Sequence, residues 1–323
     1  MNYKKHLKNN IEPKKKSEIK QRLWLPYIMA AIAFCTLIIG ILVWCHKAEK
    51  QSRMIPEYTQ ESINPYLTHS PHTFTEEDYQ FLFQQTGLTQ AGIDYLFANN
   101  RQQELLTLQE NLFKELAITC DANTIITCEE RIGVDEKSAH IPYVEEGDIL
   151  ITFNCHALGW RNGHAALVVD AGKRLTLEAR VLGTDSAVIS MEHWETYPSF
   201  AVLRLKNATE EQRAKIAAYA EKYLCDVPYR LESGILERMK ERFTLGNRKV
   251  IAEKVIDKKT MTENVKEVTN GANVDLPGTH CAHLIWYAYK QFGYDLDSDG
   301  GIIVTPRDLF ESEELEIVQI FGM

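Results

Sequence analysis

A cysteine at the predicted start of a helix is the residue of this sequence best suited to nucleophilic chemistry. Cys281 follows the turn-forming run LPGTH and begins a stretch with one apolar face that stops at Gly293. The free N–H groups and the partial positive charge of a helix N-terminus stabilise a thiolate, which is the reactive form of cysteine. The same N–H groups can bind an oxygen that becomes negatively charged. A cysteine in this position is more often an inert apolar residue. The position alone therefore does not indicate catalysis, and we look for side chains that could activate Cys281.

Two further side chains could supply those partners. His164 begins the run HAALVVD directly after Gly163, so its ring can face a cleft while a strand fixes its position. An imidazole beside a thiol can accept its proton and later protonate the leaving group. Glu178 ends the next run, RLTLE, where hairpin pairing would bring its carboxylate beside the ring and orient it. The ordinary alternatives are a solvated or core histidine and an edge glutamate. Together with Cys281, the two residues predict a Cys-His-Glu triad.

The part of the chain that carries these residues predicts an α+β fold. After about residue 143, short apolar runs rich in β-branched residues are separated by Gly, Asn and charged residues, which is typical of antiparallel strands. Two predicted helices follow, at Glu210–Leu224 and His280–Phe292, with a polar insertion at 234–275 between them. The insertion could be a helical cap or surface decoration. We therefore expect an antiparallel sheet with packed helices over 143–323.

A helical domain is predicted ahead of the sheet, over residues 73–135. It opens with the capping signal Thr75-x-x-Asp78, and leucines three and four residues apart recur between residues 105 and 116. Gly87 is an expected break between helices. We expect two or three helices that support the following domain, with a partner-binding groove as the alternative.

A membrane anchor is predicted at residues 23–45. This run has no charged residue and is long enough to cross a bilayer core of about 30 Å at about 1.5 Å per residue. It is also longer than the apolar region of a cleaved signal peptide. Cations are concentrated before the run, so residues 1–22 are expected to be a cytoplasmic tail and the remainder to lie outside the cell membrane. Residues 46–72 contain three prolines among polar residues and predict a linker.

The overall composition indicates a folded protein and argues against one class of partner. The chain has 323 residues, of which 45% are hydrophobic and 25% charged, as in globular domains. Its net charge is −9 although residues 1–22 carry eight Lys or Arg against two Glu, so the rest of the chain is strongly acidic. Nucleic-acid binding needs clustered cations, and we expect no nucleic-acid partner.

A metal site is the main alternative for the residues around the candidate nucleophile. His280, Cys281 and His283 lie within four positions, and Cys155 or His156 could add a ligand. His280 and His283 could share a helix face, but Cys281 would point elsewhere, so the spacing disfavours zinc. We expect no metal, and His283 is expected to be a polar neighbour of the cleft or a surface histidine.

The cysteine count gives a further, weaker indication. Five cysteines lie outside residues 23–45, so setting Cys281 aside as a free thiol leaves an even four. In an oxidising environment Cys120 and Cys128 could close the segment ITCDANTIITC, but parity does not assign disulfides. The alternative is that all five cysteines are reduced.

The order of these motifs resembles a known enzyme family. GDILIT, GHAALVVD, LEA, the helix HCAHLIWYAYKQFGYDL and the ending VTPRDLFES are similar to the permuted papain-like amidases of the YaeF/YiiX type. That family is the circularly permuted branch of the NlpC/p60 cysteine hydrolases, in which the histidine precedes the cysteine. The resemblance covers residues 143–315. Where relatives commonly have Cys-Ser-Glu-Leu-Val, this chain has Cys-Ala-His-Leu-Ile.

The resemblance implies a role for each candidate residue. Cys281 would be the nucleophile, His164 the general base and Glu178 the orienting residue. Tyr229, in the Val-Pro-Tyr segment, lies where relatives carry an aromatic residue near the cleft, and a substrate contact is expected there. Asp148 is expected to be a structural turn residue.

These expectations combine into one functional hypothesis. The chain is predicted to be a membrane-anchored, extracytoplasmic cysteine amidase or peptidase with a permuted papain-like domain, which needs no metal or organic cofactor. Its expected partners are the lipid bilayer and a peptide or lipid-linked amide substrate, with cell-wall peptides favoured. Acyl transfer and hydrolysis of lipid amides or esters are the alternative reactions. The rival class is a catalytically inactive binding module.

Overall fold

The computed structural model describes residues 24–40, 53–68, 71–122, 127–133, 140–157, 160–233, 235 and 276–323 of the chain. The chain divides into two compact units. The second unit consists of Gln51–Ala157 and Arg161–Met323 and contains all five of the predicted site residues.

The first unit, Met1–Lys50 with Leu158–Trp160, contains a helix, α1, at residues 24–40. No helix in the described ranges is long and apolar enough to cross a bilayer. The predicted membrane segment 23–45 extends beyond α1, and both of its ends lie outside the described residues, as does the basic tail 1–22. The predicted insertion 234–275 also lies outside them, apart from residue 235.

Helices and strands alternate irregularly along the second unit. Its helices are α2 (Asn64–Leu67), α3 (Glu76–Thr86), α4 (Gln90–Ala98), α5 (Glu104–Phe113), α6 (Glu210–Tyr223), α7 (Cys281–Lys290) and α8 (Pro306–Phe310), with 3-10 turns at Pro71–Thr73 and Met191–Thr196. The strands are β1 (Ile118–Ala122), β2 (Thr127–Ile132), β3 (Ile149–Thr152), β4 (Cys155–Ala157), β5 (Trp160–Arg161), β6 (His164–Asp170), β7 (Leu175–Glu178), β8 (Ala187–Ser190), β9 (Phe200–Leu205) and β10 (Leu315–Phe321).

Six strands form one antiparallel sheet in the order β10-β9-β3-β6-β7-β8. Its central strands are almost entirely apolar because both faces of the sheet are covered. On β6, Leu167 and Val169 face a core with α6 and α7, whereas Ala166 and Val168 face a second core that contains Trp194. This period of two places alternate residues on opposite faces. The expected α+β class, with an antiparallel sheet and packed helices, is confirmed.

The helical segment predicted over 73–135 ends earlier than expected. Helices α3 to α5 stop at Phe113, and the strands β1 (Ile118–Ala122) and β2 (Thr127–Ile132) form an antiparallel pair instead. The hairpin segment is rich in Ile and Thr, whose branched side chains lose freedom in a helix and pack well on a strand. Strand β2 also pairs with β4, so the hairpin belongs to a second sheet in the order β1-β2-β4-β5.

Residues 53–68 of the spacer predicted over 46–72 are packed against the fold. Ile63 is fully buried and Leu67 is nearly so, in the core that α3, α4 and α5 share. Apolar side chains without a regular period can still fill such a core, which is why the sequence pattern did not indicate it.

Arg53 fixes the start of this segment. Its guanidinium donates a hydrogen bond to the carbonyl oxygen of Leu112 at 3.0 Å and lies 4.2 Å from the ring centre of Phe321. The next amide, Met54 N–H, donates to the carbonyl oxygen of Gly322 at 2.9 Å. The segment is therefore held between the end of α5 and the end of β10.

Candidate active site

The candidate nucleophile lies at the first position of α7. Cys281 is buried, and the preceding residue, His280, provides no side-chain cap for the helix. Helices α3, α6 and α8 begin with reciprocal capping boxes, in which side chains satisfy the first N–H groups. At α7 these N–H groups have no intrahelical partner and lie next to the sulfur. A carbonyl oxygen of a substrate could bind them.

Backbone hydrogen bonds fix the chain segment that precedes Cys281. The amide of Thr279 donates to the carbonyl oxygen of Pro228 at 2.9 Å, and the amide of Arg230 donates to the oxygen of Thr279 at 2.7 Å. Tyr229 lies between Pro228 and Arg230 in the chain, and these two hydrogen bonds hold it beside the nucleophile. Burial and the nearby Cys281 sulfur raise the pKa of the Tyr229 hydroxyl. The structure thus brings the predicted substrate contact close to the thiol.

Gly163 determines where the candidate base enters the site. It has φ of +75°, a conformation that favours glycine, and its amide donates to the carbonyl oxygen of Cys155 at 3.0 Å. A Cβ atom there would lie 2.8 Å from the carbonyl oxygen of Thr152. His164 follows as the first residue of β6 and is 4% exposed.

Glu178 holds the His164 ring in one orientation. Its Oε2 atom lies 2.8 Å from His164 Nε2. Its Oε1 atom accepts hydrogen bonds from Thr176 Oγ1 at 2.6 Å and from Trp194 Nε1 at 2.9 Å, and it lies 3.3 Å from His193 Nε2. The indole of Trp194 also stacks on the His164 ring, with centroids 5.6 Å apart. Since Nε2 binds Glu178, Nδ1 is the His164 nitrogen left to face the thiol.

The charges of the three groups are coupled. Burial alone would raise the pKa of Cys281, but hydrogen bonds and charge attraction from His164 and His280 lower it to about 5. Burial would lower the pKa of His164, but its hydrogen bonds with Cys281 and Glu178 raise it to about 10. Burial opposes ionisation of Glu178 as well, yet hydrogen bonds from His164 and His193 hold its pKa well below the usual range. At neutral pH the site therefore contains a thiolate, an imidazolium and a carboxylate.

His283 is a buried neighbour of the site and does not lie at the surface. It is 1% exposed, and its Nδ1 lies 3.1 Å from Thr279 Oγ1. Its ring packs beside Trp286 and His280, with centroids 5.5 Å away in each case. Of the two expectations for His283, a polar neighbour of the cleft fits the structure.

The residues considered for zinc differ from the cluster of possible metal ligands in the described part of the chain. Within the described ranges, the group of three or more possible ligands whose atoms lie within 4.8 Å of one another is Asp297, Asp299 and Asp308. None of the residues around α7 belongs to that group. His156 instead faces Glu130, at 3.1 Å.

The described cysteines are free thiols. Cys120 and Cys128 lie on neighbouring strands, paired with Glu130 and Ala122 respectively, and are diagonal neighbours on one face of the hairpin. Burial and a hydrogen bond with Cys128 raise the pKa of Cys120 to about 12.

Asp148 has the structural role expected of it. It is fully buried and accepts hydrogen bonds from Arg204 Nε at 2.8 Å and Nη2 at 2.7 Å. This bidentate pair joins the turn before β3 to strand β9.

Sequence reasoning missed several residues that contact the triad. Thr176 lies two positions before Glu178 on the same strand face, and this spacing was a usable signal. Trp194 and His193 reach Glu178 from the 3-10 turn after β8, and nothing in the local pattern indicated that contact. His280 was considered only as a metal ligand, although its position next to Cys281 indicated a contact with the sulfur.

Comparisons with known proteins give little further information. No protein-family model and no curated protein matches the sequence. Among solved structures, the metalloprotein YiiX from Escherichia coli O157:H7 is similar over 55% of this chain and 98% of its own, at 13% sequence identity and a TM-score of 0.37. The resemblance expected from the sequence is thus met only as a distant structural likeness to YiiX.

Proposed function

We propose that residues 143–323 form a cysteine hydrolase of the permuted papain-like type, which cleaves an amide bond through a thioester on Cys281. The observation that carries the proposal is the series Glu178–His164–Cys281, which ends in a thiol with a pKa of about 5. A buried cysteine without such partners would be protonated and unreactive.

The chemistry follows from the charges. The Cys281 thiolate attacks the carbonyl carbon, and the N–H groups at the start of α7 bind the oxygen that becomes negative. The His164 imidazolium then gives its proton to the leaving amine, and the thioester forms. His164, now neutral, removes a proton from water, which hydrolyses the thioester. Glu178 keeps the ring oriented and balances its charge throughout.

For location and substrate we propose an anchor at residues 23–45 and cell-wall peptides. The support is the uncharged run and the preceding cations, which would place the domain on the outer face of the membrane. Digestion of purified wall fragments and of lipid extracts, followed by mass measurement of the products, separates a peptide substrate from a lipid amide or ester. Release of lipid products alone would contradict the peptide proposal.

Alkylation of the full-length protein at pH 6 tests the nucleophile. Iodoacetamide is expected to modify Cys281 selectively, because its thiol is ionised at this pH whereas burial raises the pKa of Cys155 and Cys225. Peptide mass mapping identifies the modified residue. Cys281→Ala should abolish both this modification and the release of amine from an amide substrate.

Cys225→Ala is the matched control. The Cys225 S–H donates a hydrogen bond to the carbonyl oxygen of Glu221 at 3.0 Å and takes part in none of the proposed catalytic contacts. This variant should leave labelling and turnover unchanged. Retained labelling in Cys281→Ala would remove the nucleophile assignment. Selective labelling without turnover of any amide would favour an inactive binding module.

A further inference from the structure

A second histidine lies beside the candidate nucleophile and takes no part in the triad. His280 is 5% exposed, and its Nε2 atom is buried with no hydrogen-bond partner in the described part of the chain. Leaving a buried polar group unpaired is energetically unfavourable. Such a group in a site that binds substrate indicates a partner that arrives with the substrate.

The surroundings of His280 differ from those of His164. Both histidines lower the pKa of the Cys281 thiol. Glu178 binds His164 and stabilises its positive charge, whereas the ion pairs found among the described residues include no carboxylate bound to His280. The ring packs instead beside His283, 5.5 Å away. His164 is therefore suited to carry the mobile proton, and His280 is suited to donate a hydrogen bond.

We propose that His280 is a second catalytic histidine, which donates a hydrogen bond to the carbonyl oxygen of the substrate as that oxygen becomes negative. The inference rests on the proposed function. A sulfur electron pair forms the S–C bond, and the C=O π pair moves onto oxygen. The buried Nε2 atom of His280, which has no partner among the described residues, is the ring nitrogen free to donate to this oxygen.

The remaining electrons and protons are accounted for by the triad. The oxygen pair returns to re-form C=O, the C–N bond breaks, and the amine takes its proton from His164. His280 neither gains nor loses a proton. Together with the amide N–H of Cys281, it would form a two-donor site for the oxyanion.

Two reactions of Cys281 distinguish this role from simple stabilisation of the thiolate. Acylation by p-nitrophenyl acetate passes through an oxyanion, whereas alkylation by iodoacetamide does not. Removing one oxyanion donor typically costs about 10²–10³ in rate. His280→Ala should therefore slow acylation by about this factor, while alkylation, corrected for the thiolate fraction from its pH profile, keeps the wild-type rate. His280→Gln keeps an N–H donor and should restore part of the acylation rate.

His140→Gln is the matched control. The His140 ring binds Glu104 and Glu195, so this variant should leave both reactions unchanged. Equal losses of acylation and alkylation in His280→Ala would show that the ring acts on the thiolate only, and unchanged rates would show that it has no role. Either result overturns the inference and leaves the triad intact. If His280→Ala does not fold, His280→Gln is compared with a His280→Leu variant instead. The inference is also overturned if the Gln variant is acylated no faster than the Leu variant while its thiol ionises as in the wild type. Failure of wild-type Cys281 to react with either reagent overturns the proposed function itself.

Discussion

Two buried cysteines of this chain differ in their neighbours, and the neighbours decide which one can react. Burial and the negative charge of Glu129 raise the pKa of Cys155, and its S–H donates to the hydroxyl of Tyr197 at 3.5 Å. Cys281 is equally enclosed, but the neighbouring imidazoles of His164 and His280 lower the pKa of its thiol and reverse the effect of burial. Desolvation opposes the thiolate at both sites, and only hydrogen bonding and positive charge overcome it.

The pH dependence of Cys281 follows from these shifts. A thiol with a lowered pKa stays ionised until the pH falls to about 5, and His164 keeps its proton until the pH rises to about 10. We expect amide turnover to form a plateau between these limits, with both values belonging to the coupled pair. Turnover and the rate of iodoacetamide modification, measured across this range, provide the check.

His164→Gln is the comparison for this experiment. Without the imidazolium, the thiol should titrate nearer its ordinary pKa of about 8.5. A wild-type alkylation profile with a midpoint near that value would contradict the thiolate–imidazolium pair.

The proximity of the three candidate residues could be predicted from their types and positions, but their surroundings could not. Cys281 and His164 begin, and Glu178 ends, elements that the local pattern indicates. Trp194, which both stacks on His164 and binds Glu178, comes from a turn whose position depends on how β8 and β9 pair. Contacts of this kind depend on tertiary packing, which local periodicity does not contain.

At the level of secondary structure, the turn before β6 sets the position of the base. Gly163→Ala would bring a Cβ atom to 2.8 Å from the Thr152 oxygen and 3.1 Å from the Phe153 ring, at a φ of +75°. We expect a loss of about 3 kcal/mol in the free energy of unfolding, from strain and clash together. Iodoacetamide modification of Cys281 should also slow, because His164 would be displaced. Chemical denaturation and the alkylation rate measure the two effects.

Gly183→Ala separates the two causes. Gly183 also has a positive φ, +91°, but a Cβ atom there would meet nothing within 4 Å. This variant should lose only the conformational part, about 1 kcal/mol, and keep the wild-type alkylation rate. Equal effects of the two substitutions would contradict a steric role for Gly163.

Elements with a strong pattern were predictable, and those that depend on partners were not. The apolar runs of β3 and β6 and the one-sided apolar face of α7 indicated their structures directly. The hairpin β1–β2 was not indicated, because its strands mix charged and apolar residues and because the outer partner of β2 is β4, which is short and distant in sequence. The capping box at α3 was predicted from Thr75-x-x-Asp78, and the one at α8 has the same Thr-x-x-Asp spacing but was not predicted.

For the whole molecule, one histidine joins the helical segment to the sheet domain. His140 Nε2 lies 2.8 Å from Glu104 on α5, and Nδ1 lies 3.2 Å from Glu195 in the turn after β8. Arg101 and Arg174 bind the same two carboxylates. The hydrogen bond with Glu195, aided by Glu104 against the effect of burial, raises the pKa of His140.

His140→Gln should destabilise the protein in a pH-dependent way. Because the folded pKa is raised, the stabilisation is complete below the ordinary value of about 6.5 and is lost as the pH rises through the folded value. We expect a loss of about 1 kcal/mol at pH 5.5, since the ring is partly exposed, and a smaller loss at pH 9. Thermal unfolding at both pH values measures this.

Lys173→Gln, which removes an exposed ion pair with Asp170, is the control. Equal losses at both pH values would contradict the charged bridge.

The contact of Met54 with Gly322 has a practical consequence for engineering. Since this backbone hydrogen bond holds the incoming segment against the end of β10, a few glycines would suffice to link residue 323 covalently to residue 53. New chain ends could then be opened in a surface turn such as the one around Gly172, between β6 and β7. Such a rearranged polypeptide would keep its core while presenting the proposed active site from a different attachment point.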